Sequence, residues 1–171
     1  LLPLSSHPKA LGLAEMMNMP GVIHGDENVL EKLEAFSDRM MDGHAPLLRG
    51  RDLSTYATAG ISSCHESSEI EEAREKLLKG ISVWIREGSV AKDLDELTPL
   101  LELSTSTSMG FCTDDRNPFD IEKEGHVDYL VRRAIQNGVG PEIAFRASSW
   151  SVARHYGLDR GWNRLGAVAP G

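Results

Sequence analysis

Short apolar runs alternate with longer amphipathic segments along this chain, and this alternation constrains its fold more than any other feature. Five runs of strand type end near residues 16, 44, 64, 85 and 113. Strands that alternate with helices predict an α/β fold, in which a parallel sheet is joined by right-handed crossovers. Five such strands can form an open sheet or part of a (β/α) barrel, and periodicity alone does not choose between them.

Four groups that can bind a metal or move a proton lie at or just after the ends of these runs. They are Glu15, His44, His65 and Asp114. Because the carboxyl ends of parallel strands lie on one side of a sheet, we expect the four side chains to converge on one face. Imidazole and carboxylate ligands together suit Zn, Mn or Fe(II) and leave coordination positions open for water, whose pKa the ion lowers. The pattern therefore predicts a metal-dependent hydrolytic site.

Each of these signals also has a plainer interpretation when it stands alone. The Asp42-Gly43 pair before His44 favours a turn, and Asp114-Asp115 could cap a helix or form an ion pair with Arg116. Glu15 could be an ordinary loop carboxylate. The metal site is favoured because a group of this kind recurs at the same place in its βα unit.

Local signals predict how several helices begin and end. Ser68 with Glu71 fits a capping box, and the acidic run over residues 69–75 predicts a solvated helix face. The Met19-Pro20-Gly21 triplet indicates a break after the first strand. Residues 141–157 predict one continuous helix that begins at a proline and ends at a glycine.

Composition excludes several classes of protein. The chain has 171 residues, enough for one domain with a buried core, and a formal net charge of −8 without a basic patch, so we expect no nucleic-acid partner. Its apolar runs are too short to span a bilayer, and its start lacks the pattern of a signal peptide. Cys64 and Cys112 form neither a disulfide framework nor a Cys-x-x-Cys pair. We therefore expect a cytoplasmic protein without a membrane partner.

A series of ordered motifs extends over nearly the whole chain. In sequence order they are Gly12–Met17, Pro20–Ile23, Asp42–Pro46, Cys64–Ser67, Ile85–Ser89, Cys112–Pro118, Glu124–Asp128 and Ala167–Gly171. On these motifs the chain resembles the adenine deaminases, a family of the amidohydrolase superfamily. The resemblance implies a (β/α)8 TIM barrel as the complete fold.

The resemblance also implies an activity and a ligand set. The implied enzyme is metal-dependent and converts adenine and water to hypoxanthine and ammonia, with Mn or Fe(II) as the metal and Zn as a further candidate. His44 and His65 correspond to ligands from the fifth and sixth barrel strands. Asp114 corresponds to an eighth-strand residue that binds metal and moves a proton. Glu15 takes the place of a fourth-strand carboxylate that can bridge two ions.

Three further residues acquire roles from the same resemblance. Glu66 is a candidate catalytic residue that donates a proton to the purine ring, and Asp115 and Arg86 are candidate substrate-binding residues. The pocket residues, above all Asp115 and Arg116, would decide between adenine and a cyclic amide. Another cyclic amidohydrolase is therefore one alternative function.

Several parts of the family pattern are missing from this chain. They are the paired histidines of the first strand, the first three strands, and a small β domain. The resemblance implies that residues 1–157 hold strands four to eight of an incomplete barrel, and that residues 158–171 form an irregular tail that leads toward the missing β domain. Because half a barrel leaves two unpaired edges, we expect the chain to associate with the remainder of the enzyme or with another copy, as a homo-oligomer.

Two further alternatives come from other classes of protein. A non-catalytic fragment is one, because two expected histidine ligands are missing and incomplete ligation lowers metal affinity. A flavodoxin-like binding module is the other, since it shares the alternation of strands and helices. That module needs no His or Asp at its strand ends, and this chain lacks a Gly-rich phosphate loop after the first strand.

Overall fold

A single open sheet of five parallel strands forms the centre of the fold. The computed structural model describes residues 2–161 and 164–168. The strands are β1 (Gly12–Met16), β2 (Met40–Gly43), β3 (Ser63–Cys64), β4 (Ser82–Arg86) and β5 (Met109–Cys112), and they lie in the sheet in this same order. Every neighbouring pair is parallel. In a (β/α)8 barrel, parallel strands lie side by side in the order of the sequence, and these five strands do the same. The prediction of an α/β fold that forms an incomplete barrel is therefore confirmed.

Nine helices lie between and after these strands in the described part of the chain. They are α1 (Met19–His24), α2 (Glu27–Ala35), α3 (Gly50–Thr58), α4 (Ile70–Leu78), α5 (Leu94–Leu97), α6 (Pro118–Glu124), α7 (Val127–Gln136), α8 (Pro141–Ser148) and α9 (Trp150–His155), with 3-10 turns at Leu2–Leu4 and Thr98–Leu100. Two buried clusters of apolar side chains belong to the core. One joins the first three strands to α1, α2 and α3, and the other joins β4 and β5 to the later helices. No helix within the described ranges has the length and apolarity that crossing a membrane requires.

The Met19-Pro20-Gly21 triplet, predicted to end the first strand, also forms the start of α1. The side chain of Asn18 accepts a hydrogen bond from the amide of Gly21 at 3.0 Å, which caps the helix. Pro20 is tolerated there because an amide in the first helical turn has no partner within the helix. The first strand ends before the triplet, as predicted, but α1 itself was not predicted, because proline and glycine suit a turn as well as a capped helix start.

Helix α4 differs from its prediction in two respects. Its N-cap is Glu69, whose side chain caps no amide of the helix among the described residues. The predicted capping box of Ser68 and Glu71 therefore does not form at this N-cap. The predicted solvated face over residues 69–75 is also wrong in part, because Glu72 is fully buried in an ion pair with Lys76. Alternation of charges along a sequence does not tell which charged side chains are paired in the interior.

The predicted closing helix over residues 141–157 is divided at Ser149, whose φ and ψ of −139° and −78° are not helical. The break separates α8, which packs Ala144 and Ala147 into the outer core, from α9. Val152 of α9 lies against Gly110 on the opposite face of β5, where a Cβ on the glycine would come within 2.9 Å of the valine. The two helices therefore cover different faces of the sheet.

The end of α9 packs against β2 and β4. Tyr156 donates its hydroxyl to both carboxylate oxygens of Asp42 at 2.9 Å. His155 lies edge-on to Trp84, with a ring-centroid distance of 4.8 Å, and burial lowers its pKa although Asp42 acts in the opposite direction. Because Asp42 and Trp84 lie within β2 and β4, these contacts come before the carboxyl ends of the strands, which are left for a site.

The tail contains no helix or strand at residues 158–161 and 164–168. The other residues of the predicted irregular segment over 158–171 are 162, 163 and 169–171, and they lie outside the described residues. The end of the motif Ala167–Gly171 lies outside them as well. The boundary predicted at residue 157 stays a prediction.

Candidate metal centre

The four residues predicted to converge lie together at the carboxyl ends of the strands. Glu15 belongs to β1, His44 and His65 directly follow β2 and β3, and Asp114 follows β5 by two residues. One ligand atom from each of Glu15, His44 and His65 falls within 4.8 Å of the others. Asp114 approaches the same group, with its Oδ1 3.9 Å from His65 Nε2. We refer to these four residues as the strand-end cluster.

The donor atoms of the strand-end cluster fit a divalent cation. Glu15 bridges the two rings, since its Oε2 lies 3.2 Å from His65 Nε2 and its Oε1 lies 3.5 Å from His44 Nδ1. His44 Nδ1 is buried and has no hydrogen-bond partner among the described residues. A buried polar atom without a partner is costly, and a metal ion would satisfy it. Two imidazoles with carboxylates are a donor set that suits Mn, Fe(II) and Zn.

Asp114 adopts a backbone conformation that is uncommon for a residue with a side chain. Its φ is +43°, in the left-handed region that Asp and Asn tolerate better than most residues. Its carboxylate is 38% exposed and lies between His65 and Arg86, whose Nη1 is 4.0 Å from Asp114 Oδ2. Strain of this kind is concentrated at functional sites.

Arg86, at the end of β4, is a cation beside the cluster. It pairs with Glu66 through Nη1 and with Asp93 through Nε at 3.1 Å. Burial lowers the pKa of Arg86, but the negative charges of Glu66, Asp93 and Asp114 outweigh that effect, so the pKa is raised. Arg86 therefore stays charged and holds Glu66 in place.

Glu66 lies directly beside both histidine rings. Its Oε1 is 3.4 Å from His65 Nε2 and 3.7 Å from His44 Nδ1. The structure thus places the candidate proton donor at the edge of the strand-end cluster, within reach of a ligand bound there.

Asp115 points toward the loop after β4 and not toward the cluster. Its two carboxylate oxygens accept hydrogen bonds from the amides of Ser89 and Val90 at 2.9 and 3.1 Å. Gly88 is required for this approach, because a Cβ at that position would lie 1.8 Å from Asp115 Oδ1. Asp115 therefore fixes the course of residues 88–90 beside the site.

Relatives named adenine deaminase match this chain over nearly its whole length. The protein of Bdellovibrio bacteriovorus is 57% identical over 166 residues, which is 96% of this chain. Those of Edwardsiella ictaluri and Methylobacterium nodulans are 52% and 55% identical over 172 residues, which is 100% of this chain. This chain is homologous to one segment of the adenine deaminases.

The segment is a minor part of each adenine deaminase that it matches. The chain spans 28% of the length of the Bdellovibrio and Edwardsiella proteins and 30% of the Methylobacterium protein. No family model matches the chain. A crystal structure of an uncharacterized protein has a similar fold, with a TM-score of 0.53 and 16% identity over 82% of this chain and 38% of that one. That similarity supports the fold alone.

Sequence analysis missed Tyr56, a buried residue of α3 that joins the ends of β1 and β2. Its hydroxyl donates to the carbonyl of Met16 at 2.6 Å and accepts from the amide of His44 at 3.1 Å. Burial raises the pKa of Tyr56, so the hydroxyl stays protonated. A tyrosine on the inner side of an amphipathic helix has no sequence signature that separates it from a core residue.

We expect Tyr56→Phe to lower the free energy of unfolding by about 1–2 kcal/mol, because it removes two buried hydrogen bonds of one hydroxyl. The loss of stability should lie at the low end of the range for two hydrogen bonds, because the carbonyl of Met16 still accepts a hydrogen bond from the amide of His44 at 3.3 Å. Urea denaturation would measure the change. Tyr129→Phe is the matched control, since its hydroxyl makes no hydrogen bond within the parts of the chain that the structure covers. Equal stability of the two variants would contradict the prediction.

Proposed function

We propose that this chain contributes the carboxyl-terminal strands and part of the metal site of an enzyme that deaminates adenine to hypoxanthine. The observation that carries the proposal is the strand-end cluster, in which Glu15, His44 and His65 offer ligand atoms within 4.8 Å of one another. The 52–57% identity to proteins named adenine deaminase supports the choice of substrate. The proposed setting is purine metabolism in the cytoplasm, with adenine as a small-molecule partner.

The proposed ligands are Glu15, His44, His65 and Asp114. When bound, Mn, Fe(II) or Zn would supply Lewis acidity that makes water a better nucleophile near neutral pH. The carboxylate of Asp114 has one oxygen facing His65 and the other facing Arg86. It is therefore suited to accept a proton from the attacking water and to pass it to the departing amino group, which leaves as ammonia.

Three other residues complete the proposed site. Glu66, adjacent to both rings, would have to bind the substrate in its protonated form; it would give that proton to the purine ring and recover one from the added hydroxyl group as the carbonyl of hypoxanthine forms. Arg86 would keep Glu66 oriented and border the substrate, since its guanidinium contacts three carboxylates at the edge of the cluster. Asp115 would shape the substrate pocket through residues 88–90, whose amides it holds.

The test is an assay of a polypeptide of the relatives' length that contains this segment. Ammonia release would be measured with adenine, adenosine, cytosine and a hydantoin. We expect release from adenine, its loss after treatment with a chelator, and its return on addition of Mn²⁺ or Fe²⁺. Absence of ammonia from adenine in the metal-loaded protein would refute the proposal, and turnover of the hydantoin would favour another cyclic amidohydrolase.

A second proposal concerns the segment on its own, for which we infer little or no activity. The sheet is open, and among the described strands neither β1 nor β5 has a neighbour on its outer side. Such edges favour pairing with the remainder of the enzyme or with a second copy. Sedimentation with metal analysis of the isolated chain would test this. A stable monomer that binds one ion and turns over adenine would contradict it.

A further inference from the structure

Helix α4 carries a buried ion pair that the proposed reaction does not use. The side chains of Glu72 and Lys76 are both fully buried, and Lys76 Nζ donates to Glu72 Oε1 at 2.7 Å. Apolar side chains of similar volume at such a position would be as stabilising or more so, because burial of two charges carries a large desolvation penalty. Stability alone therefore does not account for the pair.

The contacts of this pair reach the two loops that follow the histidines. Glu72 Oε1 accepts from the amide of Leu47 at 2.8 Å, three residues after His44. Glu72 Oε2 accepts from the amide of Ser68 at 3.3 Å, three residues after His65. One carboxylate thus joins the loop after β2 to the loop after β3.

Lys76 and the loop backbone strengthen this connection. Lys76 Nζ donates to Ser67 Oγ at 3.0 Å, in the same loop as His65. Leu47 has a φ of +58°, a conformation that is strained for a residue with a side chain, and its amide is held by Glu72. Strained conformations persist only where surrounding contacts fix them. The loop after β2 therefore depends on Glu72 for its path.

A second carboxylate of α4 holds the same loop farther along. Glu75 accepts from the amide of Gly50 at 2.8 Å and from Arg49 Nε at 3.2 Å. The pKa of Glu75 is lowered, first by the hydrogen bond from Gly50 and then by the one from Arg49. Helix α4 thus holds the chain after β2 both at Leu47 and at Gly50, the first residue of α3.

We propose that Glu72, with Lys76, is a positioning residue that sets the spacing between His44 and His65. The inference rests on the proposed metal centre, because the spacing matters only if both rings bind one ion. Glu72 touches neither ring and acts through the backbone of the two loops. Partners that orient metal ligands in this way commonly change metal affinity by 10–100-fold when they are removed.

The test measures Co²⁺ binding and its visible absorption spectrum in a polypeptide of the relatives' length. The principal variant is Glu72→Met with Lys76→Met, which removes both charges and the three hydrogen bonds of this pair to the loops. We expect it to fold with unchanged or higher thermal stability, to bind Co²⁺ about 10–100-fold more weakly, and to show an altered spectrum. Glu72→Gln with Lys76→Met keeps an acceptor for the amide of Leu47, so we expect partial recovery of affinity.

Two further variants separate positioning from general stability. Leu130→Ala opens a cavity in the other core cluster and should lower thermal stability while leaving Co²⁺ affinity unchanged. Ser67→Ala removes one contact of Lys76 without leaving a buried charge alone, and we expect about a tenfold loss of affinity, the lower end of the usual range. It decides the question if the double variants do not fold.

The outcomes distinguish the two proposals. If the unmodified protein does not bind Co²⁺, the proposed metal centre fails and the inference fails with it. If the unmodified protein binds Co²⁺ and the Glu72 and Ser67 variants bind it with the same affinity and spectrum, only the positioning role is overturned. Weaker binding by the Glu72 and Ser67 variants, with unchanged binding by Leu130→Ala, supports it.

Discussion

Replacement of Asp114 by asparagine is expected to lower kcat for adenine by about 10²–10⁴-fold, the usual contribution of a positioned acid–base group. Asparagine keeps the size of the side chain and one oxygen that faces the cluster, but it cannot accept a proton. The carboxylate lies 3.9 Å from His65 Nε2 and 4.0 Å from Arg86 Nη1, so it is placed at the proposed reaction centre. Steady-state ammonia release by the full-length protein, with metal content measured in parallel, would give the effect.

The matched control is Asp95→Asn, which makes the same chemical change on an outer helix. Asp95 is exposed, and hydrogen bonds from Arg133 and Asn137 lower its pKa to about 2. This variant loses the surface ion pair with Arg133 but no contact of the strand-end cluster, so kcat should not change. If Asp114→Asn kept its metal and a kcat within tenfold of the unmodified enzyme, Asp114 would not be the proton-transfer group.

The strand-end cluster could be predicted because its geometry follows from strand order. Once the strands are parallel and consecutive, the positions just after β2, β3 and β5 must lie on one edge of the sheet. His44, His65 and Asp114 occupy these positions, and no side-chain detail was needed to bring them near one another. Their roles as ligands still depend on the proposed function.

The supporting contacts could not be predicted because they depend on which polar groups are buried together. Glu72 belongs to an acidic run that resembles any solvated helix face, and Lys76 directly follows that run, yet both are fully buried. Tyr56 has the spacing of a core residue, and only the structure shows its hydroxyl between two strand ends. Periodicity predicts the side of a helix that faces the core, but it does not predict the hydrogen-bond partners found there.

The path of the chain after β5 was predicted less well for a similar reason. The break at Ser149 follows neither a proline nor a glycine, so the sequence shows one uninterrupted helical pattern. What divides the helix is the packing of its two halves on different faces of β5, with Ala144 on one side and Val152 on the other. Such a division is decided by tertiary contacts that no local signal records.

Arg86→Met is expected to lower the free energy of unfolding by about 3–5 kcal/mol, because it removes the cation of a buried ion pair and leaves its partners behind. The Arg86 side chain is only 9% exposed, and Glu66 and Asp93 on either side of it are nearly as buried. Arg86→Lys should recover part of the loss, since one ammonium group cannot reproduce the separate guanidinium contacts to both carboxylates. Urea denaturation of the metal-free protein would measure each change.

Arg133→Met provides the control for this experiment, because it breaks an arginine–carboxylate pair that is exposed to solvent. Arg133 binds Asp95 through two hydrogen bonds, and such surface pairs contribute about 0–1 kcal/mol. A deficit no larger than that of Arg133→Met would mean that Arg86 does not neutralise the carboxylates around the strand-end cluster.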